Sequence, residues 1–178
     1  MSKNLSRYER MKPSQNYASL FYEAHTFLKA SELIEEHSRP VTFTHDEMDR
    51  NVGLIYAANV NHAYSFELFI KCIMVIENGE YCEGHHLILL FQKLNPETQK
   101  SIIDYFDKNH SGIRRNRTYW GIFEKIDFVE LVTEAEEAFV QLRYHFDRKQ
   151  NSPHYDLDGA IKSLIYHIST IKPELKPL

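Results

Sequence analysis

The longest stretch of helical apolar periodicity in the chain runs from Leu54 to Gly79. Apolar residues cover most of its circumference, which is typical of a helix at the centre of a bundle. A polar side chain in such a helix must be paired or functional, because burying it alone costs free energy. Asn59, Asn61, His62, Glu67 and Lys71 interrupt the apolar segment in this way.

Signals for helix starts and ends surround this segment. Upstream, a first helix is predicted from Ser14 to about His37, and Thr44–Glu47 has the S/T-x-x-E form of a capping box. The pattern after the box predicts either one long helix bent near Gly53 or a short helix followed by the main one. Gly79 is expected directly after the end of the main helix.

The C-terminal half shows the same periodicity in four shorter segments, divided by an irregular connection at residues 110–126 in which no strand is predicted. The predicted helices cover residues 84–94, 95–109, 127–149 and 157–171. We therefore predict an all-α, single-domain, up-and-down bundle of five to six helices. It spans residues 14–172, between a flexible basic arm at 1–13 and a tail at 173–178.

Composition limits the functions that this bundle can have. The 178 residues carry a formal net charge of −4, which argues against binding nucleic acid by bulk charge but allows a local basic patch. The two cysteines, Cys72 and Cys82, are scattered, as in a reducing compartment. The N-terminus lacks the apolar core of a signal peptide, and no segment reaches about 18 uninterrupted apolar residues. We expect a cytoplasmic protein without a membrane span.

Sequence motifs for phosphate, metal or redox chemistry are absent, including the P-loop, H-E-x-x-H and C-x-x-C. Cys82, His85 and His86 form a C-x-x-H-H cluster, but no second ligand pair follows at zinc-finger spacing. The simpler interpretation is a loop cysteine and a histidine at the start of a helix. We therefore expect neither a metal nor another cofactor.

Arg143 and Asp147, near the end of the 127–149 helix, are four residues apart and therefore share a face. Arg143 lies beside the apolar stripe of that helix, so its guanidinium needs a partner, either Asp147 or Glu67. One interpretation is a structural ion pair that locks two helices. The other is a site for anions, because a fixed guanidinium is well shaped for phosphate.

Three pieces of the chain together resemble the HEPN superfamily. The first is a helix of the type N-x-x-x-A-x-x-x-E-x-x-x-K, the second a G-H-x-L turn, and the third a late helix that ends in R-Y-x-x-D/E. Their order and spacing extend over roughly residues 54–149, more than half of the chain. They are Asn59-Ala63-Glu67-Lys71, Gly84-His85-His86-Leu87 and Arg143-Tyr144-His145-Phe146-Asp147.

This resemblance implies an up-and-down helical bundle that is often dimeric. Many members of the superfamily are metal-independent ribonucleases in toxin–antitoxin, CRISPR or phage-defence systems. They use an Arg and a His separated by four to six residues. The His acts as general acid/base while the RNA 2′-hydroxyl attacks the adjacent phosphate, and the Arg stabilises the charge on the phosphorane. RNA, an antitoxin or other protein partner and a second copy of the chain are the partners implied, with His85 and Glu67 in supporting positions.

The chain departs from that pattern at Arg143, which has no His at the required distance. Arg148 and His154 satisfy the spacing, with five residues between them, but Pro153 interrupts the helix there. Other members lack the pair and serve as nucleotide-, RNA- or protein-binding modules. Two hypotheses follow: an endoribonuclease that uses Arg143, Asp147, Arg148 and His154, and a non-catalytic adaptor or sensor.

A second candidate for RNA binding lies in the 110–126 connection. Arg114, Arg115 and Arg117 form the densest basic cluster of the chain, and Tyr119 and Trp120 follow them. Basic side chains bind the phosphates along a single-stranded RNA, and aromatic rings stack on its unpaired bases. The alternative is a solvated loop whose Trp120 packs against the end of the bundle, since a tryptophan more often serves packing.

Overall fold

The computed structural model of the chain describes residues 16–38, 45–110, 114–117, 122–125, 127–143 and 157–177. This part forms an all-α helical bundle with one short ribbon, which confirms the predicted fold class. In chain order its elements are α1 (Tyr17–Ser38), α2 (His45–Asn78), α3 (Leu87–Gln92), α4 (Pro96–Asn109), β1 (Arg114–Arg117), β2 (Ile122–Lys125), α5 (Phe128–Arg143) and α6 (Asp158–Ile171).

The central helix is α2, as the apolar pattern predicted. Its 34 residues form one continuous helix that includes Gly53, so the alternative of two separate helices is wrong. At about 1.5 Å per residue, α2 is about 51 Å long. It packs against α1, α3, α5 and α6. No helix in the described ranges is both long and apolar enough to cross a membrane.

Gly79 ends α2 in the way its position predicted. It has a φ of 79°, in the left-handed region, and its N–H donates to the Val75 carbonyl at 2.9 Å. Glycine has no Cβ and adopts this conformation without steric penalty. The chain therefore leaves the helix sharply, and residues 80–86 return toward α2 before α3 begins at Leu87.

The core is rich in fully buried aromatic rings, and Phe128 is at its centre. The Phe128 ring contacts Phe66 of α2, Phe91 of α3 and Phe106 of α4, at centroid distances of 6.2, 4.8 and 5.5 Å. Because Phe128 is the first residue of α5, these contacts hold the start of that helix against three others. Each such ring removes about 150–250 Å² of apolar surface from water.

The C-terminal segment packs more closely than a tail would. Leu175 is buried in the core, and its N–H donates to the Lys172 carbonyl at 3.0 Å. The Lys172 ammonium lies 5.0 Å from the centroid of the Tyr17 ring, at the start of α1. Residues 172–175 therefore attach the end of α6 to the beginning of the bundle.

The connection between α4 and α5, which we expected to be irregular and without strands, contains a two-stranded antiparallel ribbon. Arg114 pairs with Lys125 and Arg117 with Ile122. Ladder hydrogen bonds between the two strands satisfy backbone N–H and C=O groups that would otherwise need other partners. The ribbon holds the predicted basic cluster on its first strand.

Candidate polar site at the centre of the bundle

Glu67 lies in the middle of α2 with its side chain only 2% exposed. The Lys71 ammonium, one turn later on the same face, donates to Glu67 Oε1 at 2.7 Å. This pair compensates two charges that would each be costly to bury alone. Asn59, Ala63, Glu67 and Lys71, which follow one another at a spacing of four residues along α2, are all buried.

His85 reaches the same carboxylate from the loop that follows α2. Its Nδ1 lies 3.0 Å from Glu67 Oε1 and 3.2 Å from Glu67 Oε2. The preceding residue, Gly84, has a φ of 125°, a conformation that side chains rarely adopt. The glycine therefore allows the turn that directs His85 back onto α2. The His85 side chain is nevertheless 65% exposed, so one edge of the ring is held and the other faces solvent.

The tautomer of the neutral His85 ring follows from this contact. A carboxylate has no proton to donate, so the hydrogen bond requires Nδ1 to carry the proton. In the neutral ring the other nitrogen, Nε2, is then the proton acceptor. A histidine whose Nδ1–H is fixed by a carboxylate is arranged for general acid/base chemistry at Nε2.

Two tyrosines border the network. The Tyr81 ring lies over the Lys71 ammonium, with 5.2 Å between the nitrogen and the ring centroid, a cation–π geometry. Burial raises the pKa of the Tyr64 and Tyr81 phenols, and nearby carboxylates, Glu23 and Glu67 among them, raise it further. Both phenols therefore keep their protons at neutral pH. The network thus combines groups from α1, α2 and the 79–86 loop.

His86 points to a different helix from its neighbour. Its Nδ1 lies 3.0 Å from Oε1 of Glu136, on α5, and Glu136 Oε2 accepts the backbone N–H of Ile88 at 3.0 Å. This carboxylate satisfies one of the unpaired N–H groups in the first turn of α3. The His86–Glu136 contact therefore joins α3 to α5.

The C-x-x-H-H cluster does not converge as a set of metal ligands. His85 and His86 contact different carboxylates, and Cys82 Sγ lies 3.8 Å from the sulfur of Met74. Among the described residues there is no group of three or more His, Cys, Asp or Glu side chains placed to hold a metal ion. Cys72 is fully buried, and burial raises the pKa of its thiol to about 12, which makes it an inert core residue.

The predicted catalytic residues lie at and beyond the end of α5. Arg143 is the last residue of that helix, and its side chain lies outside the described part, as do Asp147, Arg148 and His154. The predicted contact between Arg143 and Glu67 therefore stays a prediction.

The predicted RNA-binding residues belong to β1 and to the segment of sequence between β1 and β2. Arg114, Arg115 and Arg117 form β1, and only their backbone is described. Tyr119 and Trp120 lie outside the described residues. The roles predicted for these residues stay predictions.

The contact between Glu67 and His85 was not predicted, although both residues belong to the motifs that carry the resemblance. The E-x-x-x-K spacing indicates the Glu67–Lys71 pair directly, because i and i+4 are neighbours on a helix. The approach of His85 depends on the path of the 79–86 loop, which helical periodicity does not encode. The signal that was available is the pair of loop glycines, Gly79 and Gly84, which permit that path.

A separate groove of about 500 Å³ lies between α4 and α6. Tyr105 and Tyr166 stack along it with ring centroids 3.9 Å apart, and the Lys100–Asp104 ion pair lies on its α4 side. Its charged side chains offset one another, so the groove has no strong preference for anions. The lining residues are Glu97, Lys100, Ser101, Asp104, Tyr105, Lys108, Asn109 and Tyr166.

The resemblance to the HEPN superfamily is carried by three pieces of sequence, and the described structure brings the first two into contact through Glu67 and His85. The third begins at Arg143, where the described part of α5 ends. Comparisons of the chain with protein-family models, with curated proteins and with solved structures found no match.

Proposed function

We propose that this chain is a HEPN-like, RNA-directed protein that acts as a metal-independent endoribonuclease in a toxin–antitoxin or phage-defence setting. The observation that carries the proposal is the contact between Glu67 and His85. It joins the E-x-x-x-K helix and the G-H-x-L turn, which were singled out from the sequence separately, into one polar network. A network built from both motifs is what a shared fold and site would produce.

The proposed chemistry needs only groups of the protein and of the RNA. The 2′-hydroxyl attacks the adjacent phosphorus, the O2′–P bond forms and the P–O5′ bond breaks, leaving a 2′,3′-cyclic phosphate. His154 transfers protons, and Arg143 and Arg148 stabilise the negative charge on the phosphorane. Asp147 orients the guanidinium of Arg143 at i+4.

The RNA and its partners are proposed from the same features. Arg114, Arg115 and Arg117 on β1, with Tyr119, supply positive charge and a stacking ring for single-stranded RNA. A homodimer would bring two Arg/His pairs into one cleft, and an antitoxin would restrain the activity in the cell. The proposed setting is cytoplasmic, where the two thiols stay reduced.

Cleavage of total RNA by the purified protein in EDTA tests the proposal. The wild-type protein should cleave it and leave 2′,3′-cyclic phosphate ends, and Arg143→Ala or His154→Ala should each abolish cleavage. Lys176→Ala serves as the control, because Lys176 is exposed near the C-terminus and should leave the activity unchanged. Activity that persists in both site variants would exclude these residues as the catalytic groups.

A second candidate function is a non-catalytic adaptor or nucleotide sensor. It is favoured by the burial of Glu67 and Lys71, since a buried ion pair often serves the uniqueness of a fold rather than chemistry. A thermal-shift series with nucleotides and single-stranded RNA oligomers separates the two functions, because a ligand of the folded state raises the melting temperature. Stabilisation by a nucleotide, without any RNA cleavage, would favour the sensor.

A further inference from the structure

We infer that His85, held by Glu67, is a proton-transfer residue of RNA cleavage and not only a supporting residue. The inference rests on the proposed function and deepens it, because it assigns a catalytic group within the described part of the chain. It is carried by the position of one imidazole ring, which has a buried carboxylate at one nitrogen and solvent at the other.

The buried side of the ring supplies orientation. Both Glu67 oxygens lie within 3.2 Å of His85 Nδ1, and the Glu67 side chain is held in place by Lys71 and by the surrounding core. An orienting group whose own conformation is locked by packing places its partner more accurately than an exposed one. Glu67 is therefore a positioning residue that fixes the tautomer with its proton on Nδ1.

Lys71 makes the carboxylate compatible with a phosphate substrate. An uncompensated negative charge beside the reacting histidine would repel the phosphodiester. The Lys71 ammonium, 2.7 Å from Glu67 Oε1, offsets that charge, while both carboxylate oxygens stay within 3.2 Å of His85 Nδ1. Lys71 itself is only 7% exposed and lies against the Tyr81 ring, so it compensates charge without leaving the core.

The exposed side of the ring supplies the chemistry. Nε2 of neutral His85 takes the proton of the RNA 2′-hydroxyl while O2′ bonds to phosphorus. The P–O5′ bond breaks, and the leaving O5′ takes a proton from His154, to which the proposed function assigns proton transfer. His85 then returns its proton to solvent and His154 regains one from it, so the cycle needs no metal and no further reactant. A side chain that is 65% exposed allows a single-stranded RNA to approach Nε2 directly.

His86 provides a matched control within the same turn. Its side chain has the same 65% exposure, and its Nδ1 lies the same 3.0 Å from a carboxylate oxygen. Glu136, however, also accepts the Ile88 N–H and so belongs to the junction between α3 and α5. If proton transfer required only an exposed histidine hydrogen-bonded to a carboxylate, His85 and His86 would contribute equally to RNA cleavage.

The experiment measures cleavage of a fluorescent single-stranded RNA oligomer in EDTA by the full chain. His85→Ala should lower kcat by about 100-fold or more, the usual contribution of a proton-transfer group, with KM within about threefold. Glu67→Gln should also lower kcat, and His86→Ala should stay within about threefold of the wild type. Added imidazole should restore cleavage by His85→Ala, which a purely structural loss would not allow.

The failures of the two proposals are distinguishable. Wild-type cleavage together with an active His85→Ala variant, close to His86→Ala in kcat, would overturn the assignment of His85 and leave the proposed function standing. A wild-type protein that leaves the oligomer intact would overturn both. Melting curves by circular dichroism should show a cooperative transition for His85→Ala, because Lys71 still pairs with the buried Glu67 carboxylate.

Discussion

Glu67 is the residue around which the polar part of the core is arranged. Its carboxylate is buried, and Lys71 and His85 share its two oxygens. A buried charge is tolerated only when it is paired and hydrogen-bonded, and here both conditions are met within a single turn of α2 and one loop. The same contacts that compensate the charge also bring the exposed His85 ring to a fixed place.

Removal of the ammonium from this network should destabilise the fold. Lys71→Met leaves the buried Glu67 without its closest cation, and we expect a loss of about 3 kcal/mol in the free energy of unfolding. Urea denaturation measures it. Lys29→Met is the control, because the Lys29–Glu32 pair is exposed on both sides and such pairs contribute at most about 1 kcal/mol. Equal effects of the two substitutions would contradict the importance of the buried pair.

The stability of the protein should fall in mild acid because of His25. Burial between Phe21 and Phe69 lowers the pKa of His25 from 6.5, with Lys29 acting in the same direction and Glu32 opposing. The folded protein therefore takes up this proton less readily than the unfolded chain. The contribution of neutral, buried His25 to the free energy of unfolding is therefore complete above about pH 6.5. It is lost as the pH falls from there through the lowered pKa of the folded protein.

A substitution at His25 tests this assignment. His25→Leu should reduce the difference between the urea midpoints at pH 7 and pH 5, because the group that takes up the proton is gone. His37→Leu, at an exposed position in the last turn of α1, should retain the wild-type difference. A His25→Leu variant with an undiminished pH dependence would assign the acid sensitivity to other groups, such as His167, whose pKa burial also lowers.

At the scale of the elements, two glycines of the central segment have opposite roles. Gly53 lies inside α2, and Gly79 follows its end with a φ of 79°. A Cβ at either position would meet no atom within 4 Å, so only the backbone decides the effect of a substitution.

Alanine at the two positions should therefore change stability in opposite directions. Gly79→Ala forces an alanine into the left-handed region and should cost about 1 kcal/mol. Gly53→Ala should stabilise the protein by up to about 1 kcal/mol, because alanine is the better helix former. Thermal unfolding monitored by circular dichroism measures both. A Gly79→Ala variant as stable as the wild type would contradict the role of Gly79 as the end of α2.

The elements were largely predictable because their signals are local. The apolar periodicity of α2, the glycine that ends it and the Asn95-Pro96 start of α4 each act within a few residues, and the helices lie where these signals placed them. The ribbon was missed because Arg114–Arg117 contains no apolar residue and so has no alternating pattern. The helix predicted to begin at Gly84 begins at Leu87 instead, because Gly84 and the two histidines belong to the preceding turn.

The contacts between distant elements were harder to predict than the elements. The sequence offered Asp147 or Glu67 as the partner of Arg143, and this stays a prediction because the Arg143 side chain lies outside the described residues. The structure shows Lys71 and His85 at the Glu67 carboxylate, and His85 reaches it only because a loop with two positive-φ glycines folds back. Sequence periodicity specifies which face of a helix is buried, but not which loop side chain arrives there.

At the scale of the whole molecule, the proposed proton-transfer and charge-stabilising residues belong to two parts of the chain. One is the Glu67–Lys71–His85 network, where α2 meets its following loop. The other is the segment that begins with Arg143 at the end of α5, for which the catalytic role is proposed from sequence.

Incubation of the purified wild-type chain with total RNA in EDTA tests whether the protein cleaves RNA without a metal. We expect discrete fragments that carry 2′,3′-cyclic phosphate ends, and loss of those fragments in the His154→Ala variant. Intact RNA after incubation with wild-type protein that is folded by circular dichroism would contradict this expectation.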